Sequence, residues 1–198
     1  MSYDICLKDP VTDETIELPT KHMMHGGTYR ADYDEKTGVF TPAAITEAWL
    51  NVTYNYARYY YDAAENDVRF FGQLPDDRED DKPRNLGIRG IYGKTGAETI
   101  PMLQDLIHRI TEKYRKDGEW IVTRRTKTRY LDKDGAEVDF NDILFEKKGY
   151  FKKEEYEVEV SEGPNDDYWE DTAANAVRPL HQLTAMAQLR PDGVWYGD

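Results

Sequence analysis

Residues 87–96 read GIRGIYGKTG, placing flexible glycines, Arg89, Tyr92 and a Lys94-Thr95 pair directly ahead of a helical pattern. Such a stretch suits an anion. Free N–H groups and the dipole at a helix start favour negative charge, and the two cations and the Thr95 hydroxyl add directed donors. The spacing is not that of a P-loop, which needs a glycine, four intervening residues and then Gly-Lys-Ser/Thr; the position of that glycine is Ile88. No second apolar strand ending in a magnesium-binding Asp is found. Nucleotide hydrolysis is therefore the low-ranking alternative, and no enzyme is expected. A purely structural account competes with the ligand: glycines serving turns, Arg89 and Lys94 paired with the abundant carboxylates, and Ile88, Ile91 and Tyr92 packed.

A second polar set lies upstream. From Ala48, Leu50, Val52, Tyr54 and Tyr56 alternate with Asn51, Thr53 and Asn55, the period of two of a half-buried strand. The amide and hydroxyl face is either solvated or turned to a ligand, and Tyr29 joins it in the candidate ligand set. His22 and His25 lack further ligands, so no metal is expected, and His181 reads as an interfacial histidine. In DKDG, aligning Gly135 with the glycine of a calcium loop puts Tyr130 and Asn141 at the first and last ligand positions, which rejects it. No Ser-His-Asp spacing, G-x-S-x-G or H-E-x-x-H occurs. No catalytic residue and no cofactor is expected.

The elements that must position these groups are legible in outline. Residues 3–18 suggest an N-terminal hairpin, Gly26-Gly27 a turn or bulge, and residues 57–71 a short helix. QLPDDREDDKPRN, within residues 72–86, reads as an acidic flexible loop. Ile100, Leu103, Ile107, Ile110 and Tyr114 mark a helix over about 96–115, with Thr95 and Glu98 fitting a capping box or Thr99 as the start. A second helix runs from the N-cap candidate Thr172 to Leu189, with Pro179 threatening a kink. Between them, Arg124, Arg125, Lys127 and Arg129 can face Glu154, Glu155, Glu157 and Glu159 across an antiparallel ribbon, an arm inserted at 119–160. The expectation is one α+β domain over 1–198: a mainly antiparallel sheet carrying two principal helices, with a projecting charged β-hairpin arm.

Composition limits the partners. The 26 Lys and Arg stand against 39 Asp and Glu, a net charge of −13, which repels nucleic-acid phosphates. The segment from Glu154 to Asp198 carries 11 acidic and 2 basic residues. Glu154, Glu155, Glu157, Glu159, Asp166 and Asp167 could thus occupy the basic channel of a nuclease as a nucleic-acid mimic. Cys6 is the only cysteine, so no disulfide framework exists and the reading is cytoplasmic. No secretory leader and no apolar run of about 20 residues is seen, so no membrane association is expected; a homo-oligomer is left open.

LNVTYNYARYYYDA, GIRGIYGKTGAETIPML and DYWEDTAANAVRPLHQLTAMAQLRPDGVWYGD together resemble a family of small bacteriophage and prophage proteins. The resemblance carries no activity residue by residue. It implies a protein of the infected bacterial cell that inhibits host defence by binding. Two binding modes follow: sequestering a small anionic, nucleotide-like signal, or blocking a host defence protein such as a nuclease through the acidic surface.

Overall fold

The computed structural model describes residues 2–24, 27, 30–74 and 82–198. In chain order the elements are β1 (Ser2–Lys8), β2 (Glu17–His22), β3 (Ala31–Asp34), β4 (Val39–Pro42), β5 (Ile45–Glu47), β6 (Trp49–Thr53), α1 (Ala57–Ala64), β7 (Phe71–Gly72), β8 (Arg84–Asn85), α2 (Gly96–Tyr114), β9 (Arg115–Lys116) and β10 (Glu119–Trp120). There follow β11 (Val122–Leu131), β12 (Glu137–Val138), α3 (Phe140–Phe145), β13 (Lys152–Ser161), α4 (Ala173–Leu189) and β14 (Val194–Gly197). Short 3-10 turns occupy Tyr54–Tyr56, Val68–Phe70 and Gly87–Ile91. The fold is α+β, with every strand pair antiparallel among the described residues. The chain separates into two compact units, residues 1–120 with 163–198 and residues 121–162.

The first unit is organised on β1, the central strand of a sheet ordered β14-β1-β6. Tyr3, Ile5 and Leu7 alternate into the core, where they join Leu50 and Val52 of β6, Tyr56, Tyr59 and Tyr60, Leu103, Leu106 and Ile110 of α2, and Leu180 and Leu183 of α4. Each aliphatic side chain buried this way contributes about 1.5–3 kcal/mol. Both edges of β1 are taken, by β14 and β6, so the expected N-terminal hairpin is reduced to one bridge between Lys8 and Thr15. The strand expected to run on to Tyr56 stops at Thr53, whose hydroxyl accepts from the Asn55 N–H and caps the 3-10 turn. The expected helix over 57–71 divides at Ala64. Asp67 then caps a second turn and accepts from Arg69 and Arg109. Those two guanidiniums, Arg69 foremost, hold the buried Asp67 carboxyl well below the usual carboxylate range.

α2 begins at Gly96 under a complete capping box of Thr95 and Glu98. α4 begins under Thr172, whose hydroxyl accepts from the Asn175 N–H. Pro101 and Pro179 each remove one hydrogen bond early in a helix, and both helices continue past them. No helix among the described residues is long and apolar enough to cross a membrane. Residues 75–81 of the expected acidic loop lie outside the described residues; its flanks pair as β7 and β8.

The second unit is a ribbon in which β11 and β13 pair over ten residues, Arg124 opposite Glu159 and Arg129 opposite Glu154. Ion pairs form at 3.5 and 2.7 Å. Thr126 and Thr128 oppose Glu157 and Glu155, so the match of signs is partial. Arg125 instead reaches Glu162 at 2.9 Å, where both side chains are nearly or wholly buried. α3, unanticipated, follows β12.

Trp195 of β14 is fully buried, and its indole N–H donates to the Thr99 hydroxyl of α2 at 2.8 Å. Thr99→Val keeps the shape but strands that buried donor, at a cost of about 1–3 kcal/mol. Thermal unfolding should show a Tm lower by several degrees, with Thr99→Ser close to the parent.

Candidate functional site

The stretch 87–96 packs directly against β14. Gly93 N–H donates to the Trp195 carbonyl at 2.8 Å, Trp195 N–H to the Lys94 carbonyl at 3.0 Å, and Gly96 N–H to the Gly193 carbonyl at 2.8 Å. Two glycines answer to close packing: a β-carbon on Gly90 would stand 2.8 Å from the Phe70 α-carbon, and one on Gly96 would stand 2.7 Å from the Arg190 carbonyl. Gly87 and Gly93 hold positive φ angles of 55° and 75°, which L side chains resist.

The backbone donors expected to cradle an anion are already engaged. Thr95 N–H donates to the Glu98 carboxylate, Glu98 N–H to the Thr95 hydroxyl, and Ala97 N–H to the Pro191 carbonyl. The Thr95 hydroxyl also donates to Glu98 at 2.8 Å. The anion at the start of α2 is therefore the chain's own carboxylate, held below its usual range by the Thr95 N–H and hydroxyl. Thr95 leaves the candidate ligand set. The helix-terminus form of the expected site is corrected by this local geometry.

What the fold does present is a cleft of about 680 Å³ between the 87–94 segment, β7 and β14. Arg89, Tyr92 and Lys94 line it, with Phe71, Trp195 and Tyr196 among the other walls. Arg89 donates through Nε to the Asp198 backbone oxygen at 3.0 Å and through a terminal nitrogen to the Tyr54 hydroxyl. Its guanidinium lies over the rings of Tyr3 and Tyr54, 5.1 and 5.4 Å from their centroids. Lys94 donates to the Gly90 carbonyl at 2.8 Å. Among the described residues neither cation has an Asp or Glu side-chain oxygen within 4.0 Å. An arginine carries five N–H donors and a lysine three, so both keep donors to spare. Among the described residues the expected pairing of Arg89 and Lys94 with Asp or Glu side chains is not formed, whereas the turn-making and packing roles of the glycines hold.

Tyr92 is partly buried and its hydroxyl oxygen wholly so, with no hydrogen-bond partner among the described residues. Burial pushes this phenol far above its ordinary range, keeping it neutral. The oxygen lies against Gly197, where a β-carbon would fall 2.3 Å from it.

The other candidates fall elsewhere. Asn51 donates to the Ser2 hydroxyl at 2.7 Å and to Asp4 at 2.8 Å. Thr53 is buried in its capping role, and Asn55 donates to the Trp169 carbonyl at 2.8 Å. These three join elements of the first unit and line no part of the cleft. Tyr29 and His25 lie outside the described residues. His22 Nε2 sits 2.8 Å from the Glu47 carbonyl, and no cluster of three metal-ligating side chains occurs among the described residues.

The acidic set is divided. Glu154 pairs with Arg129 and Lys152, Glu155 with Lys153 at 4.0 Å and Glu159 with Arg124. Glu157 alone of the four has no cation within 4.0 Å among the described residues. Asp166 and Asp167 belong to the first unit, where Asp167 accepts from the Trp169 N–H. The cleft lining that sequence reasoning missed comes from β7 and β14; the aromatic-rich VWYGD ending was the available signal.

Comparison with protein families, with curated proteins and with solved structures finds no match for this chain.

An unsatisfied buried hydroxyl destabilises. Tyr92→Phe should therefore leave stability unchanged or raise it by about 1 kcal/mol, measured by urea unfolding.

Proposed function

We propose that this protein is a non-catalytic binder that captures a small anionic, nucleotide-like molecule in the cleft walled by Arg89, Tyr92 and Lys94. In the setting that the phage resemblance implies, such capture withdraws a signal from a bacterial antiviral system. One observation carries the proposal: in a chain of 39 acidic and 26 basic residues, two cations line a cleft with spare donors and no Asp or Glu side-chain partner among the described residues. Surface cations in so acidic a chain find counter-ions easily, as Arg69, Arg109, Lys113 and Arg190 do here.

The chemistry suits phosphate or carboxylate. A guanidinium can take two oxygens of one anion side by side, and an ammonium adds a point charge. Phe71 and Tyr196 are substantially exposed and offer flat faces to a ring. The volume of about 680 Å³ falls within the roughly 300–1,000 Å³ usual for small-molecule sites. Capture is favoured over turnover because, among the described residues, the acidic side chain in the lining, Asp198, accepts from the Asp4 N–H and no nucleophile with an adjacent base lines the cleft.

Thermal unfolding with inorganic phosphate, ATP, NAD, ADP-ribose and cyclic dinucleotides tests this. At a free concentration near 100 times Kd, a true ligand stabilises by about 2.7 kcal/mol, raising Tm by several degrees. Lys94→Ala and Arg89→Gln should remove that rise. A flat response across the panel, or a rise untouched by both substitutions, would refute it.

A further inference from the structure

The second unit ends in a cluster of exposed apolar side chains. Phe145 is 75% and Phe151 78% exposed, and Phe140, Leu144 and Tyr150 are each about half exposed. Phe140, Tyr150 and Phe151 gather at the end of β11, and Leu144 and Phe145 follow Phe140 on α3. Tyr130 at the end of β11 stacks on Phe140 at 5.7 Å and meets Tyr150 edge-on at 4.7 Å, while Phe151 N–H donates to the Leu131 carbonyl. Taking about 200 Å² for each full aromatic surface, these groups present roughly 600 Å² of apolar area. Monomeric proteins seldom leave patches of that size without a use.

The local charge differs from that of the whole chain. Residues 140–153 hold four lysines against two acidic residues, where the chain as a whole stands at −13. Both signs are present at the rim. Glu146 and Lys147 are exposed, as is Glu155 beside Lys153. Lys147 occupies the left-handed position after α3, with φ of 54°, where glycine is favoured. Among the described residues it has no carboxylate within 4.0 Å.

We propose that this aromatic end is a self-association surface, on which two copies meet by an isologous contact of Leu144, Phe145 and Phe151 rimmed by Glu146, Lys147 and Glu155. Two molecules of net charge −13 repel wherever their acidic surfaces face each other, so contact is cheapest through an exposed apolar region whose local charge is not negative, as this one is. A two-fold contact also needs a patch complementary to itself, and a rim of mixed sign around an apolar centre meets that need. An anionic lipid surface fits less well, because the exposed Glu146 and Glu155 would face it. Roughly 600 Å² on each copy gives about 1,200 Å² in total, the lower end for a specific interface, so a weak, micromolar dimer follows.

Sedimentation equilibrium from about 1 to about 500 μM, at low and high NaCl, tests the proposal. The expected result is a monomer–dimer equilibrium that strengthens with salt, because screening relieves the repulsion between the two acidic bodies. Phe145→Asp combined with Phe151→Asp should leave only monomer, with an unchanged circular dichroism spectrum and Tm, since both side chains are exposed. Lys147→Gly removes the rim charge while easing the backbone, so it should weaken the dimer yet raise Tm. Monomer at every concentration, a dimer indifferent to the double substitution, or association that weakens with salt would overturn it. So would monomeric protein floating with phosphatidylserine–phosphatidylcholine vesicles without self-association.

Discussion

The Trp195 indole stands where the sheet, the second helix and the cleft meet. Its ring is wholly buried and its N–H is satisfied by Thr99 of α2. Its backbone pairs with Leu7 of β1 on one side and exchanges hydrogen bonds with Gly93 and Lys94 on the other. A large aromatic with a polar handle can be buried only where that handle finds a partner. Meeting this condition sets α2 against β14 and brings the 87–94 segment to the sheet edge, so the cleft's cationic wall and its aromatic wall share one anchor.

Hydrogen-bond satisfaction at the start of α2 decides what the cleft can offer. Glu98 folds back on Thr95 and closes the capping box, and β14 with the turn before it absorbs the neighbouring backbone donors. An external anion would have to displace the chain's own carboxylate, which lies at hydrogen-bond distance and costs no loss of translational freedom. The positive character of the cleft therefore rests on side chains alone. The Tyr3 and Tyr54 rings hold the Arg89 guanidinium, ordering it without neutralising its charge.

Charge works differently in the two units. In the ribbon the expected meeting of basic and acidic strands occurs at Arg124–Glu159 and Arg129–Glu154, which neutralises part of the surface that a nucleic-acid mimic would need. Exposed pairs of this kind contribute at most about 1 kcal/mol each. Arg125–Glu162 differs by its burial: a buried charge is tolerated only when paired, and Glu162 also accepts from the Thr123 hydroxyl.

Local rules were enough for the sequence to place α2 and α4 with threonine caps, the antiparallel ribbon, the α+β class and the grouping of Arg89, Tyr92 and Lys94 on one segment. Those features depend on residues a few positions apart or on matched strands, so short-range pattern carries them. Only the tertiary structure decided that β1 takes β6 and β14 as neighbours instead of the strand after it. It likewise decided that Asn51, Thr53 and Asn55 are spent on internal hydrogen bonds, that Glu98 fills the helix start, and that Phe71 and Tyr196 complete the cleft. Each of these outcomes is a competition for one partner among groups up to about 190 residues apart, and which donor, acceptor or apolar face wins is set by packing in three dimensions, which linear spacing does not encode.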